Sequence, residues 1–266
     1  MNKGDIKKII FDSKKLNPYE RKLDFLKGKF KGQTCYVLGC GPSLKDIDKH
    51  KLQKEVEDKA LFTIKQSYFS FKDYVDFHFF NTNNYSYYSD NPNALFLGSS
   101  DWLTEAAVKD NIWKLQQIDI CTSVAGAEGQ NLSLNKPMSK LQYLDDFDLH
   151  KYSFEETGLK RKWGAGIMYE LVLFFIHHLG FSEIKVAGWD YADPNKKGML
   201  VPEHFYEEEH RLRTLNPCFP AYPEEMLDSI NLANRFNAFF KSNEVELKVH
   251  KSDKCFLTDE IERYVL

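Results

Sequence analysis

The chain predicts an α/β fold with a mostly parallel sheet, on three observations. Short β-rich runs alternate with stretches of helical period, the runs are apolar almost without interruption, and one of them ends in a glycine turn leading into a helical pattern. A strand covered on both faces has no polar side to show, so unbroken apolar runs suit a parallel sheet between helices. With 266 residues and no long Pro/Gly/Ser linker, the chain reads as one domain with insertions.

Taken in order, residues 14–30, "KKLNPYERKLDFLKGKF", set bases against apolar residues at helical spacing and predict a short helix in an N-terminal helical extension, residues 1–32. "TCYVLGC" is a buried strand. After its glycines, "PSLKDIDKHKLQKEV" resumes with a period near 3.6, with Pro42 where a first helical turn tolerates it. "ALFTIKQ" and "VDFHFFN" predict two more strands, followed by the polar aromatic stretch "TNNYSYYSDNPN" with Tyr85, Tyr87 and Tyr88. "NALFLGSS" and "QQIDICTS" predict further strands around a helix over "DWLTEAAVKDNIWKL". Residues 124–160 have no clean period and read as a long insertion. "WGAGIMYELVLFFIHHLGF" predicts a buried helix, and "SEIKVAGWDYAD" a strand ending in Gly188-Trp189-Asp190. Residues 191–223 form a second candidate lid, before a helix over "EEMLDSINLANRFNAFFKSN" and a closing strand "VELKVHK". This order defines a Rossmann-like domain over residues 33–266, with helices on both faces of the sheet and lid segments inserted near 124–160 and 191–223.

Charge and cysteine usage narrow the function classes. Thirty-six basic residues against 39 acidic ones leave a net charge of -3, so no global field draws the chain to nucleic acid or anionic lipid. The five cysteines are odd in number and form no C-x-x-C pair, which argues against a disulfide framework and a zinc ribbon and fits a cytoplasmic location. The N-terminus lacks the apolar core of a signal peptide. The most apolar stretch, "GIMYELVLFFIHHLGF", is short and carries Glu170, His177 and His178, so a core helix is expected and no transmembrane segment.

In an open parallel sheet the ligand crevice lies outside the carboxyl ends of strands, where glycine turns bring backbone amides to a ligand. Gly39 and Gly41 sit at such a place, with Cys40 projecting between them and Ser43 able to offer its hydroxyl or cap the next helix. The turn is not a dinucleotide fingerprint, because Leu44 stands where a third glycine would come, and G-K-[ST] is absent. Asn81 ends a predicted strand, where an amide reads a base or ribose, or simply closes a turn. Asp190 ends another, suited to a ribose hydroxyl or an acceptor proton, or to capping its own loop with Asp193. Arg161 and Lys162 precede a second glycine turn and either neutralise a phosphate or face solvent. His204 and His210 are six residues apart, off the i, i+4 spacing of a helical zinc pair, so no metal site is expected there. Tyr206, Arg211 and Arg213 share that segment and suit a lid that excludes water.

"VLGCGPSL" resembles the Gly-x-Gly-Pro-Ser-Leu turn of bacterial sialyltransferases of glycosyltransferase family forty-two and of the related motility accessory factor domain. "WGAGIMYELVLFFIHHLGFSEIKVAGWDYA" is similar to their later glycine turn, long helix, strand and Gly-x-Asp segment, about 125 residues on and in the same order. The resemblance implies a metal-independent transferase with no bound cofactor, whose substrate is a nucleotide-activated sugar, CMP-linked in that family. Gly39, Cys40, Gly41, Ser43, Gly164, Ala165 and Gly166 would line the donor site. The sequence departs from that pattern in three places. Cys40 replaces an asparagine, Gly164-Ala165-Gly166 lacks a serine, and "FPAYPEE" before the last helix lacks the family's histidine base. His204, ranked above His210 for its aromatic neighbours Phe205 and Tyr206, is the expected base, with Asp190 as rival.

The expected function is transfer of a sugar, such as a nonulosonic acid, to a hydroxyl of a surface glycan or glycoprotein. Two alternatives stay open: a Mg-dependent pyrophosphokinase or other phosphotransferase on a related scaffold, and a non-catalytic nucleotide- or glycan-binding module. The expected partners are a nucleotide-sugar donor and a glycan acceptor, with no nucleic acid; a homo-oligomer is left open.

Overall fold

The computed structural model describes residues 1–16, 19–64, 67–71, 73–81, 113–117, 149, 168–191, 193, 195 and 223–266. The strands among them are β1 (Thr34–Leu38), β2 (Ala60–Ile64), β3 (Phe77–Asn81), β4 (Trp113–Gln117), β5 (Glu183–Ala187), β6 (Glu246–His250) and β7 (Glu262–Tyr264). They form one seven-stranded sheet in the order β4-β3-β2-β1-β5-β6-β7, and every neighbouring pair is parallel. The expected α/β architecture, with helices on both faces, is the observed one.

Alternation along β1 shows why the strand had to be apolar throughout. Cys35 and Val37 point into a core shared with α1 (Lys3–Lys14), α2 (Tyr19–Leu26), α5 (Leu173–Leu179) and α6 (Pro223–Ser242). Tyr36 and Leu38 point into a second core on the other face, with α3 (Lys49–Glu55) and α4 (Ser67–Phe71). The larger core is rich in phenylalanine: Phe62 stacks on Phe77 with ring centroids 4.5 Å apart, and Phe30 on Phe181 at 4.8 Å.

Helix α1 lies inside the expected N-terminal helical extension but ahead of the helix expected over residues 14–30, and its start is written in Asn2-x-x-Asp5. Asn2 caps the helix and Asp5 reaches back to the cap amide, a reciprocal box. The helix buries Ile6 and Ile10 in the larger core. It is pinned by Asp76, fully buried, whose Oδ2 accepts from the Leu61 amide at 2.9 Å and from Lys3 Nζ at 2.5 Å, with Lys7 Nζ 3.0 Å from Oδ1. Asp76→Ala leaves these donors facing a void, and an expected loss of about 3 kcal/mol should appear as a lower urea midpoint at unchanged slope.

Three further elements differ from expectation. The glycine turn opens into a five-residue 3-10 turn, Pro42–Asp46, and not directly into an α-helix. Ile47 is extended, and Asp48 caps α3 by accepting from the amides of His50 and Lys51. Strand β4 begins at Trp113, inside the stretch expected to be helical, because Trp113 to Gln117 pair in register with Phe77 to Asn81. Backbone partners supplied by β3 outweigh a weak local helical pattern. The edge strand β7 was not foreseen; three residues are too few for a periodic signal. The strand expected at "NALFLGSS", the rest of that helix, and both lid segments lie outside the described residues apart from isolated positions. Among the described residues no helix is long and apolar enough to cross a membrane.

Candidate functional site

The sheet is built outward in two directions from its centre. β1, β2, β3 and β4 follow one another to one side, and the chain then returns to place β5, β6 and β7 on the other. The switch point of this doubly wound sheet lies between β1 and β5, the place where such folds open a ligand crevice at the strand ends. Gly39-Cys40-Gly41 follows β1 and Gly188-Trp189-Asp190 follows β5, so the two turns singled out in the sequence meet there.

Four hydrogen bonds join the turns. The Gly39 amide donates to Ala187 O and the Gly41 amide to Gly188 O, both at 2.8 Å. The Gly188 amide donates to Ser43 Oγ at 3.1 Å, and the Ser43 amide to Asp190 Oδ2 at 2.6 Å. Close approach explains the glycines. A Cβ on Gly39 would stand 2.2 Å from Gly188 O, and one on Gly41 2.3 Å from Asp190 Oδ2. Gly188 itself has φ +69°, which a branched residue strongly resists.

This geometry revises several expected contacts. The amides of Gly39, Gly41 and Ser43 already serve acceptors within the protein, so a ligand oxyanion at Ser43 would have to replace the Asp190 carboxylate. Ser43 accepts from the opposite turn and does not cap α3. Asp190 spans the crevice to Ser43, whereas Asp193 accepts from the amide of Asn195, so the two do not cap one loop together. Burial pushes the Asp190 carboxyl above its ordinary value, against the lowering effect of the Ser43 bonds, and Asp46 adds to the rise. Among the described residues its buried Oδ1 has no hydrogen-bond partner. Cys40 Sγ donates to Ile64 O at 3.0 Å, which turns it toward the end of β2.

Behind the Asp190 turn lies a hydrogen-bonded chain that the sequence reading missed. Trp189 Nε1 donates to Tyr191 OH at 3.3 Å, Tyr191 OH donates to Tyr169 OH at 2.9 Å, and Tyr169 OH donates to Ser229 O at 2.5 Å. Tyr169 belongs to a π-helical turn, Met168–Val172, at the entry to α5, a distortion frequent near functional sites. The chain thus fixes the β5 turn against α5 and α6. No spacing in the sequence signals it, because its members come from three separate elements. His177 and His178 pack as expected: His178 is buried, and His177 lies against Phe239 and Phe240.

Asn81 closes β3 opposite Gln117. Arg161, Gly164, Ala165, Gly166, His204 and His210 lie outside the described residues. The structure therefore brings together Gly39, Cys40, Gly41, Ser43 and Asp190 from the expected set.

No family model matches the chain, and no curated protein does. Among solved structures, a crystal structure of a variant of the sialyltransferase CST-II in complex with CMP is similar, with a TM-score of 0.41 and 17% identity over 87% of this chain and 86% of that chain. A likeness of that distance leaves the chemistry to be argued from the crevice itself.

Proposed function

We propose that the chain is a glycosyltransferase that holds a nucleotide-activated sugar in the β1/β5 crevice and passes the sugar to a hydroxyl of a glycan or glycoprotein. The observation that carries the reading is the meeting of two glycine turns at the switch point of a parallel sheet, with a partly orphaned carboxylate between them. The resemblance of "VLGCGPSL" and of the segment ending in "GWDYA" to sialyltransferase turns favours a CMP-linked acid sugar as donor. In this reading Gly39, Cys40, Gly41 and Ser43 line the donor site with Gly164, Ala165 and Gly166, while Arg161 offsets phosphate charge and Asn81 reads base or ribose. His204, or else His210, takes the acceptor proton, and Asp190 either orients the ribose or is itself the base.

A nucleotide that binds only the folded state raises its melting point. At a hundredfold excess over Kd the gain is about 2.7 kcal/mol, or roughly 5–10 °C for a chain of this size. Among CMP, CDP, UDP, GDP and ADP, CMP or CDP is expected to give that shift, unchanged by a chelator. A shift that required Mg²⁺ would favour the phosphotransferase alternative, and no shift with any of the five would contradict the crevice as a nucleotide site.

A further inference from the structure

We infer that a second cavity, beside the crevice, is a subsite for a neutral sugar ring, the unit that would present the acceptor hydroxyl; this rests on the transferase reading above. The cavity, about 440 Å³, is lined by the loop between β6 and β7 and by Asn195. That volume lies within the range of small-ligand pockets. Two contacts tie its lining to the residues around Asp190. Cys255, in its floor, is buried and donates through Sγ to Trp189 O at 3.7 Å, and Asn195 is held by an Asx turn on Asp193. The cavity wall therefore touches the turn that follows β5, next to the proposed donor site.

Its lining selects the class of ligand. Phe256 is 40% exposed at the cavity, an aromatic face of the kind that stacks on the C–H face of a sugar. Asp259 and Asn195 supply an acceptor and an amide to ring hydroxyls, and Lys251 a further donor. An anion is disfavoured. The charged side chains of the lining are Lys251, Asp259 and Arg263. Arg263 already donates to the carbonyls of Leu257 and Thr258 and to Cys255 Sγ, and Lys251 and Asp259 offset one another. That Arg263 clamp fixes the loop, so the cavity is shaped before a ligand enters and little ordering is needed on binding.

Saturation-transfer NMR on the full chain tests this without a donor, with methyl glucoside, methyl galactoside, methyl N-acetylglucosaminide and methyl glucuronide as probes. At least one neutral glycoside is expected to receive saturation, reduced at least fivefold in Phe256→Ala and in Asp259→Asn but kept in Lys8→Ala, an exposed change on α1. Circular dichroism confirms that each variant is folded. Binding of the glucuronide alone, binding of none of the four, or neutral binding unaffected by both cavity variants would overturn the subsite. The nucleotide melting shift is read separately. Loss of sugar binding with the shift intact sinks only the subsite, and sugar binding without any shift sinks only the donor crevice.

Discussion

Gly39→Ala should lower the urea midpoint and the melting temperature more than any other single change in the crevice, by about 3 kcal/mol or roughly 10 °C. The added Cβ would sit 2.2 Å from Gly188 O and 2.8 Å from its carbonyl carbon, so backbone meets backbone and both central strand ends must part. Gly41→Ala offers the contrast. Its Cβ has the Asp190 side chain as nearest neighbour, and turning the carboxylate away relieves the 2.3 Å contact with Oδ2 but not the 2.8 Å contact with Asp190 Cβ, so the expected cost is smaller, about 2 kcal/mol. That rotation would strip the Ser43 amide of its acceptor, and the two substitutions therefore separate the fold of the switch point from the electrostatics of the site. Equal costs at the two positions would mean that the strand ends are less tightly joined than the 2.8 Å bonds across them require.

The largest effect on activity is expected at the base. A sugar hydroxyl is a weak nucleophile at neutral pH, and a positioned base contributes roughly a hundredfold or more. His204→Asn should therefore cost about that factor in turnover with the donor that shifts the melting point, and His210→Asn much less. Asp190→Asn keeps an acceptor for the Ser43 amide and should retain most of the rate. If Asp190→Asn alone were inactive while both histidine variants kept full rate, the proton would leave through the crevice carboxylate and the lid-base mechanism would fail. Stability gives an independent check on Asp190. Its folded pKa is raised above the ordinary 3.8, so the folded state binds the proton more tightly than the unfolded one. The parent accordingly loses stability as pH rises from the ordinary value through the raised one, a loss that Asp190→Asn should not show.

The parallel sheet was legible because both-face burial writes itself into composition: "TCYVL" and "ALFTI" admit no polar face, and β1 and β2 followed directly. The two turns were legible for a similar reason, since only glycine tolerates the approach of Gly39 to Gly188. What lies between them was not. That Asp190 reaches the Ser43 amide depends on β5 lying beside β1, a pairing between residues nearly 150 positions apart that no local pattern encodes. The same holds for the Tyr169–Tyr191–Trp189 chain and for the cavity walled by the loop before β7, a strand too short to announce itself. The capping box at Asn2 and Asp5 is readable in the sequence and fixes where the N-terminal helical extension begins.

The central claim is that a nucleotide occupies the β1/β5 crevice, and an amide-resolved NMR titration tests it most directly. CMP, UMP, GMP and AMP would be added in turn to uniformly ¹⁵N-labelled protein. The account predicts that at least one of them, CMP first, moves the amides of Gly39, Cys40, Gly41, Ser43, Gly188 and Asp190 together, the Ser43 signal furthest as its bond to Asp190 is exchanged for a ligand oxygen. Four titrations that leave those six amides in place, whether or not signals elsewhere move, would contradict it.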